Sequence, residues 1–171
     1  MAAALKLAAH ALQQGNMPVG AVIIHNGSIL ASGENAIDSR HDDTHHAELA
    51  AIQHAQQFLF ENKRQCTIYT TLEPCMMCLG AIVNAGINRI IFAVPDPLVG
   101  ASILLSSIEY YRSKGLQLVG DVMRADSQAL FDEYFRRTGF RRHLASNAKA
   151  KPVAQRGRPV CGASPPQRAA G

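Results

Sequence analysis

No part of the sequence contains the run of about 18 apolar residues that a helix needs to cross a bilayer. Residues 1–15 contain one lysine and no arginine, which does not fit a secretory signal or a transit peptide. They are typical instead of an amphipathic helix that has Leu5, Ala8 and Leu12 on one face. These absences argue against a helical membrane protein, and we expect a cytoplasmic one.

Acidic residues are absent from residues 141–171, which carry seven Lys/Arg, whereas residues 1–140 carry ten Lys/Arg and 13 Asp/Glu. The hydrophobic content of 47% with 18% charged residues excludes a disordered chain as a whole. We expect one domain at 1–140, followed by a basic, disordered tail at 141–171. The tail is either a solvating extension or an arm that binds a phosphate backbone.

Strand and helix signals alternate through the second half of the chain. Asn26-Gly27 is a two-residue hairpin signal between two of the predicted strands. This order predicts an α/β sheet that contains parallel pairs and is covered by helices on both faces. The predicted strands are 19–25, 28–32, 66–72, 88–94 and 116–119; the predicted helices are 1–15, 45–60, 75–85, 102–114 and 125–138, with a loop at 33–44.

Only four cysteines are present, and two of them form Cys75-Met-Met-Cys78. On a helix, positions i and i+3 share a face, so both sulfurs can point at one atom. A CxxC alone fits a thioredoxin-type redox pair or half of a structural zinc site. A structural site would need a second CxxC or an HxxxH to complete four ligands, and Cys66 and Cys161 do not form such a pair. Two thiolates and one histidine would instead give a three-ligand catalytic zinc site with an open position.

His46-Ala47-Glu48 can supply the histidine, because it stands at the start of a predicted helix. His46 is then the metal ligand, and Glu48 is the group that moves protons to and from the attacking water. His45 is the competing ligand, but it lacks the spacing to the glutamate. H-x-E followed by P-C-x-x-C is the signature of zinc deaminases of nucleobases. Here the second half of that signature begins at Pro74.

These motifs, with Met17-Pro-Val-Gly-Ala-Val22 and Thr71-Leu-Glu-Pro-Cys75, resemble the cytidine/deoxycytidylate deaminase superfamily, and within it the bacterial tRNA adenosine deaminases. The resemblance covers roughly residues 5–140. It implies a three-layer α/β/α fold with a five-stranded mixed sheet, a homodimer, and binding of a tRNA anticodon loop. It also implies one zinc ion per subunit. The residue roles that it implies are metal ligation by His46, Cys75 and Cys78, proton transfer by Glu48, and contact with the substrate base or ribose by Asn35.

Two substrates remain open for the hydrolytic deamination that this resemblance implies. The first is adenosine in tRNA, which would become inosine with release of ammonia. The second is a free base or small nucleoside, such as guanine or cytosine. The second stays open because Asp96-Pro-Leu-Val-Gly-Ala-Ser102 lacks the lysine that tRNA deaminases usually carry there, and because residues 1–140 are net acidic. A catalytically silent binding subunit is disfavoured, since Glu48 is present.

Overall fold

The structure, a computed structural model, describes residues 1–63 and 65–139. The predicted tail at 141–171 therefore lies outside the described residues. No described helix is both long enough and apolar enough to cross a membrane. The elements in chain order are α1 Ala2–Gln13, β1 Gly20–His25, β2 Ser28–Glu34, α2 Ile37–Arg40, α3 Ala47–His54, α4 Gln56–Glu61, β3 Cys66–Leu72, α5 Met76–Asn84, β4 Arg89–Val94, α6 Ala101–Ser107, α7 Glu109–Ser113, β5 Gln117–Val119 and α8 Arg124–Thr138.

The five strands form one mixed sheet, as predicted, and their order is β2-β1-β3-β4-β5. β1 is antiparallel to both β2 and β3, whereas β3, β4 and β5 are parallel. Asn26 and Gly27 both have positive φ, of 48° and 78°, which matches the predicted two-residue turn between β1 and β2. The carboxyl ends of β3 and β4 meet at one edge of the sheet, and the residues that follow them lie together there.

Helices cover both faces of the sheet, which confirms the three-layer arrangement. Gly20 pairs with Glu34, and the next residue, Ala21, pairs with Gly33, so Gly20 and Gly33 point to opposite faces. A Cβ at Gly20 would lie 2.2 Å from the carbonyl oxygen of Ala4 in α1, and one at Gly33 would lie 2.3 Å from that of Ala47 in α3. Glycine at these positions lets α1 and α3 approach the hairpin at backbone distance.

The core lies between the helices and the central strands. β4 is covered on both faces, so its residues from Ile90 to Val94 are apolar and buried without alternation, whereas the first half of β3 alternates between buried and half-buried residues. Each fully buried Ile, Leu or Phe contributes about 1.5–3 kcal/mol relative to an exposed one. Phe131 of α8 is completely buried. Its replacement by alanine would therefore cost about 3–5 kcal/mol.

Two predicted helices are each divided in two. The helix predicted at 45–60 breaks at Ala55, whose N–H bonds to the carbonyl of Ile52 in an i to i−3 contact that tightens and ends α3. The helix predicted at 102–114 breaks at Ile108, which is extended, with φ −118° and ψ 116°. Neither break contains a Gly or Pro, so the periodicity of apolar residues predicts one continuous helix in each case.

The predicted loop at 33–44 is also wrong in part. β2 continues to Glu34, and the short helix α2 follows it at Ile37–Arg40. α2 ends at His41, which adopts a left-handed conformation with φ 53°. Its position is fixed by a long-range contact: the Oδ1 of buried Asn16 accepts the N–H of Ser39 at 3.0 Å. Short sequence windows contain no signal for such a contact.

Candidate metal centre and its cavity

The structure brings His46, Cys75 and Cys78 together at the carboxyl edge of the sheet. The Nδ1 atom of His46 lies 3.4 Å from the sulfur of Cys78 and 3.7 Å from that of Cys75. Within residues 1–63 and 65–139, this is the one group of three or more His, Cys, Asp and Glu side chains whose ligand atoms all lie within 4.8 Å of one another. The three residues predicted to be ligands therefore form one cluster.

Helix starts position the cluster. His46 is the N-cap residue of α3, and Cys75 is the N-cap residue of α5, so both precede the first helical turn. Cys78 lies one turn into α5 and is fully buried. Pro74 follows the end of β3 closely and directs the chain into α5. Because unpaired N–H groups gather at helix starts, this location favours thiolate over thiol.

The spacing of the donor atoms suits a small divalent cation. Zinc bonds of about 2.3 Å to sulfur and about 2.0–2.1 Å to nitrogen, at tetrahedral angles, separate the donor atoms by about 3.5–3.8 Å. The observed nitrogen–sulfur distances of 3.4 and 3.7 Å are close to this range. One imidazole and two sulfurs form a donor set that zinc prefers, and three protein donors leave a fourth position for a small molecule.

The pKa values of the two cysteines shift in opposite directions. A hydrogen bond from the Cys78 thiol, helped by one from His46, lowers the pKa of Cys75 to about 4. The same contact with Cys75, together with burial, raises the pKa of Cys78. Binding of a cation by both sulfurs therefore releases a proton, and the affinity for the cation depends on pH.

Glu48 lies beside the cluster, in the first turn of α3, and is only 3% exposed. One carboxylate oxygen accepts a hydrogen bond from the hydroxyl of Thr70 at 3.2 Å, and the other lies 3.5 Å from the sulfur of Cys78. Burial raises the pKa of Glu48 above its usual value. A carboxyl group with a raised pKa next to an open metal position is suited to proton transfer near neutral pH.

A cavity of about 100 Å³ opens beside these groups. Buried Asn35 lines it, and its Oδ1 accepts the N–H of Ile37 at 3.3 Å. The residue expected to contact substrate therefore shares a cavity with the ligand cluster. The remaining lining residues are Met17, Val19, Ile37, His46, Glu48, Leu72, Glu73, Cys75, Asp96 and Val99.

A larger cavity of about 560 Å³ lies elsewhere, between α1, β2 and α3. His45, the alternative ligand, lines this second cavity together with His10 and His54. His10 is already paired with Glu34 at 2.8 Å. Because none of the three clustered ligands lines this larger cavity, its size does not make it the site of chemistry. The structure thus separates His45 from the metal centre.

The sequence analysis missed two buried acids at the smaller cavity, Glu73 and Asp96. Glu73 belongs to the Thr71-Leu-Glu-Pro-Cys75 motif, whose spacing assigns it no role. Asp96 stands between two prolines, in the segment that lacks the lysine of tRNA deaminases, and no motif includes it. A carboxylate placed directly before the Pro-Cys pair is a local signal that could have drawn attention to Glu73.

The sequence matches known deaminases along most of its described length. The model of the MafB19-like deaminase family matches residues 1–125. The tRNA-specific adenosine deaminase of Buchnera aphidicola subsp. Schizaphis graminum is 33% identical over 143 residues, which are 82% of this chain and 94% of that protein. The tRNA-specific adenosine deaminase of Bacillus subtilis is 32% identical over 139 residues, 80% of this chain and 86% of that one.

Solved structures agree with the sequence matches. A structure from work on A-to-I editing by tRNA:A34 deaminases has a TM-score of 0.63 and 30% identity, and the match covers 74% of this chain and 94% of that chain. A guanine deaminase from Bacillus subtilis has a TM-score of 0.52 and 34% identity over 63% of this chain and 73% of its own. Both similarities include the cytidine-deaminase-like sheet.

Proposed function

We propose that this chain, which belongs to the MafB19-like deaminase family and is a hydrolytic deaminase of nucleobases, is a cytoplasmic, zinc-dependent enzyme. Its reaction would convert adenosine in tRNA to inosine. The observation that carries the proposal is the position of Glu48 beside His46, Cys75 and Cys78, in a cavity that can hold a base. The chain would bind one zinc ion through these three ligands. A zinc ion held there supplies a Lewis acid that activates water at neutral pH.

Glu48 moves the protons. As a carboxylate it takes a proton from the attacking water, while the oxygen of that water bonds to the carbon that bears the exocyclic amine. It delivers this proton to the adjacent ring nitrogen. It then helps transfer the second proton of the water to the amine, which leaves as ammonia, and a carbonyl remains. Thr70 holds one carboxylate oxygen during these transfers.

The cavity limits what can enter. Its volume of about 100 Å³ is well below the roughly 300–1,000 Å³ of pockets that enclose drug-sized ligands. A single flat heterocycle fits, and the sugar of a nucleoside would remain at the mouth. Asn35 lies in the wall, where its amide can meet a polar edge of the base or the ribose.

Several features support adenosine in tRNA over other substrates. Two relatives that align along most of their length are tRNA-specific adenosine deaminases. The basic segment at 141–171 would follow the catalytic domain and is available for RNA phosphates. A free base such as guanine is the second candidate, favoured by the 34% identity to a guanine deaminase and by the missing lysine at 96–102.

Ammonia release by the zinc-loaded full chain separates the two candidates. The substrates are adenine, guanine, cytosine, their nucleosides, and a tRNA anticodon stem-loop. We expect the highest kcat/KM on the stem-loop, with inosine as the product. A preference for free guanine would establish the second candidate. Absence of turnover on every substrate would overturn the deaminase proposal.

We also propose that the enzyme is a homodimer. Three apolar side chains at the starts of α5 and α6 lie on the surface near the cavity: Met76 is 52% exposed, Met77 is 40% exposed and Ile103 is 43% exposed. A second copy of the chain would cover them. Sedimentation equilibrium should give twice the chain mass of 18.4 kDa. A monomer at micromolar concentration would contradict the homodimer.

A further inference from the structure

Glu73 joins both ends of the segment that forms one wall of the cavity. Its two carboxylate oxygens accept backbone N–H groups from Asp96 at 2.9 Å and from Ser102 at 2.8 Å. A single carboxylate therefore holds both ends of this segment, which we call the 96–102 loop. Glu73 is 3% exposed, so water cannot replace these hydrogen bonds without opening the structure.

The backbone of Glu73 fixes the same carboxylate to the sheet. Its N–H donates to the carbonyl of Val94 at 2.8 Å, at the carboxyl end of β4. Two residues further along the chain is the ligand Cys75, which forms an isolated antiparallel bridge with Gly100 of the loop. One residue thus connects the metal-binding turn, the sheet edge and the 96–102 loop.

The packing leaves no room for a side chain between Gly100 and the Glu73 carboxyl group. A Cβ at Gly100 would lie 2.5 Å from the carboxyl carbon of Glu73 and 2.3 Å from the carbonyl oxygen of Asp96. Asp96 stiffens the loop further, because its carboxylate accepts the N–H groups of Leu98 at 2.9 Å and Val99 at 3.2 Å. Asp96 and Val99 both line the cavity, so the position of the loop determines the width of the cavity.

We propose that Glu73 is a positioning residue of the deamination reaction, which holds the 96–102 loop at the distance from Cys75 that a base requires. The inference rests on the proposed function. The Glu73 carboxylate holds the loop through the N–H groups of Asp96 and Ser102, whereas the starts of α3 and α5 position the three metal ligands. Loss of Glu73 should therefore widen the base site while leaving the reacting groups and the metal in place.

Graded variants of the full-length, zinc-loaded enzyme test this role. Glu73→Gln retains one acceptor oxygen but turns an NH₂ group toward the second N–H, so one end of the loop is released. Glu73→Ala releases both ends. We expect KM to rise about tenfold in E73Q and further in E73A, with kcat within about threefold of the wild-type value and one zinc ion still bound.

Gly100→Ala provides an independent variant in which Glu73 is unchanged. Its added methyl group pushes against the Glu73 carboxyl from the loop side, so the same rise in KM is expected. Leu98→Ala is the matched control. Leu98 lies in the same loop but is 59% exposed, and its backbone N–H is kept, so KM should not change. If E73A does not fold, E73Q and G100A carry the test.

Two further measurements do not depend on turnover. Hydrogen exchange of the Asp96 and Ser102 amides should accelerate at least tenfold in E73Q but not in L98A. The affinity of E73Q for adenine or guanine, measured by calorimetry, should also decrease. A lower melting temperature with unchanged KM, base affinity and exchange would overturn the proposal. An inactive wild type would overturn the deaminase assignment instead, and base affinity and exchange would still decide the role of Glu73.

Discussion

The hydroxyl of Thr70 donates a hydrogen bond of 3.2 Å to Glu48, and both side chains are buried. This bond favours the charged form of the carboxyl and fixes one of its oxygens. We expect Thr70→Val to lower kcat about tenfold, the equivalent of one lost buried hydrogen bond. The acid limb of the pH profile should also move to higher pH. Thr70→Ser, which keeps the hydroxyl, is the control and should retain both properties.

Glu48 itself gives the second prediction. Glu48→Ala and Glu48→Gln remove the carboxylate that we propose carries the protons but leave His46, Cys75 and Cys78 in place. Zinc content, measured by elemental analysis, should remain at one ion per chain, while kcat falls by about 10²–10⁴. A fully active E48Q enzyme would show that another group moves the protons.

The pKa of Glu48 also makes stability depend on pH. Burial raises it in the folded chain above the ordinary value of 4.5. Folding therefore favours the protonated form: the stabilisation is complete below pH 4.5 and is lost as the pH rises through the folded pKa. In metal-free protein, E48Q cannot ionise, so its free energy of unfolding should increase relative to the wild type as the pH rises. Urea unfolding with a chelator at about pH 5, 6.5 and 8 measures this difference.

Glu133 is the matched control for that experiment, because its shift has the opposite sign. Arg136 and Arg137 lower the pKa of this exposed carboxyl to about 2. The stabilisation of the fold by ionised Glu133 is present above the ordinary glutamate pKa of 4.5 and is lost as the pH falls toward 2. The difference in unfolding free energy between Glu133→Gln and the wild type should therefore stay constant between about pH 5 and 8, where the E48Q difference changes. Parallel pH trends in the two variants would contradict the assignment for Glu48.

The cysteines give a fourth prediction. Hydrogen bonds from Cys78 and His46 lower the pKa of Cys75 to about 4, whereas burial raises that of Cys66. In metal-free protein, alkylation of Cys75 by iodoacetamide should change little between about pH 6 and 8, while Cys66 should react slowly and faster at higher pH. Peptide mapping by mass spectrometry distinguishes the two sites. Added zinc should protect Cys75, and an unprotected Cys75 would contradict its role as a ligand.

Truncation after Thr138, the last residue of α8, tests the proposed division between a catalytic domain and a basic tail. We expect the shortened chain to keep its zinc ion and its turnover of small substrates. If the tail only solvates the protein, the salt dependence of stem-loop binding should also stay the same. A shallower salt dependence would identify the tail as an arm that binds phosphates.

The sequence predicted the ligand cluster because its members stand in two short motifs, each at a helix start. His46, Cys75 and Cys78 could be assigned from spacing and from the number of available donors. Glu73 could not, because its partners Asp96 and Ser102 follow it by 23 and 29 residues and meet it only in the folded chain. The hydrogen bond between Asn16 and Ser39, which are 23 residues apart, could not be predicted for the same reason.

The fold was predictable to a similar depth. β-Branched runs and the Asn26-Gly27 turn predicted all five strands, and the resemblance to known deaminases predicted one mixed sheet between helices, but not the order of its strands. The breaks at Ala55 and Ile108 were missed, since neither residue opposes a helix by itself. Ala55 packs in the hydrophobic core, so packing there overrides local propensity.

The small volume of the cavity has a consequence for RNA. A base inside a duplex is stacked above and below and paired at its edge, so it reaches a site of about 100 Å³ only by swinging out, at a cost of a few kcal/mol. An unpaired nucleotide in a sharply turned loop avoids most of that cost. Helical stems would therefore be spared from editing by their own stacking, without a residue devoted to recognising them.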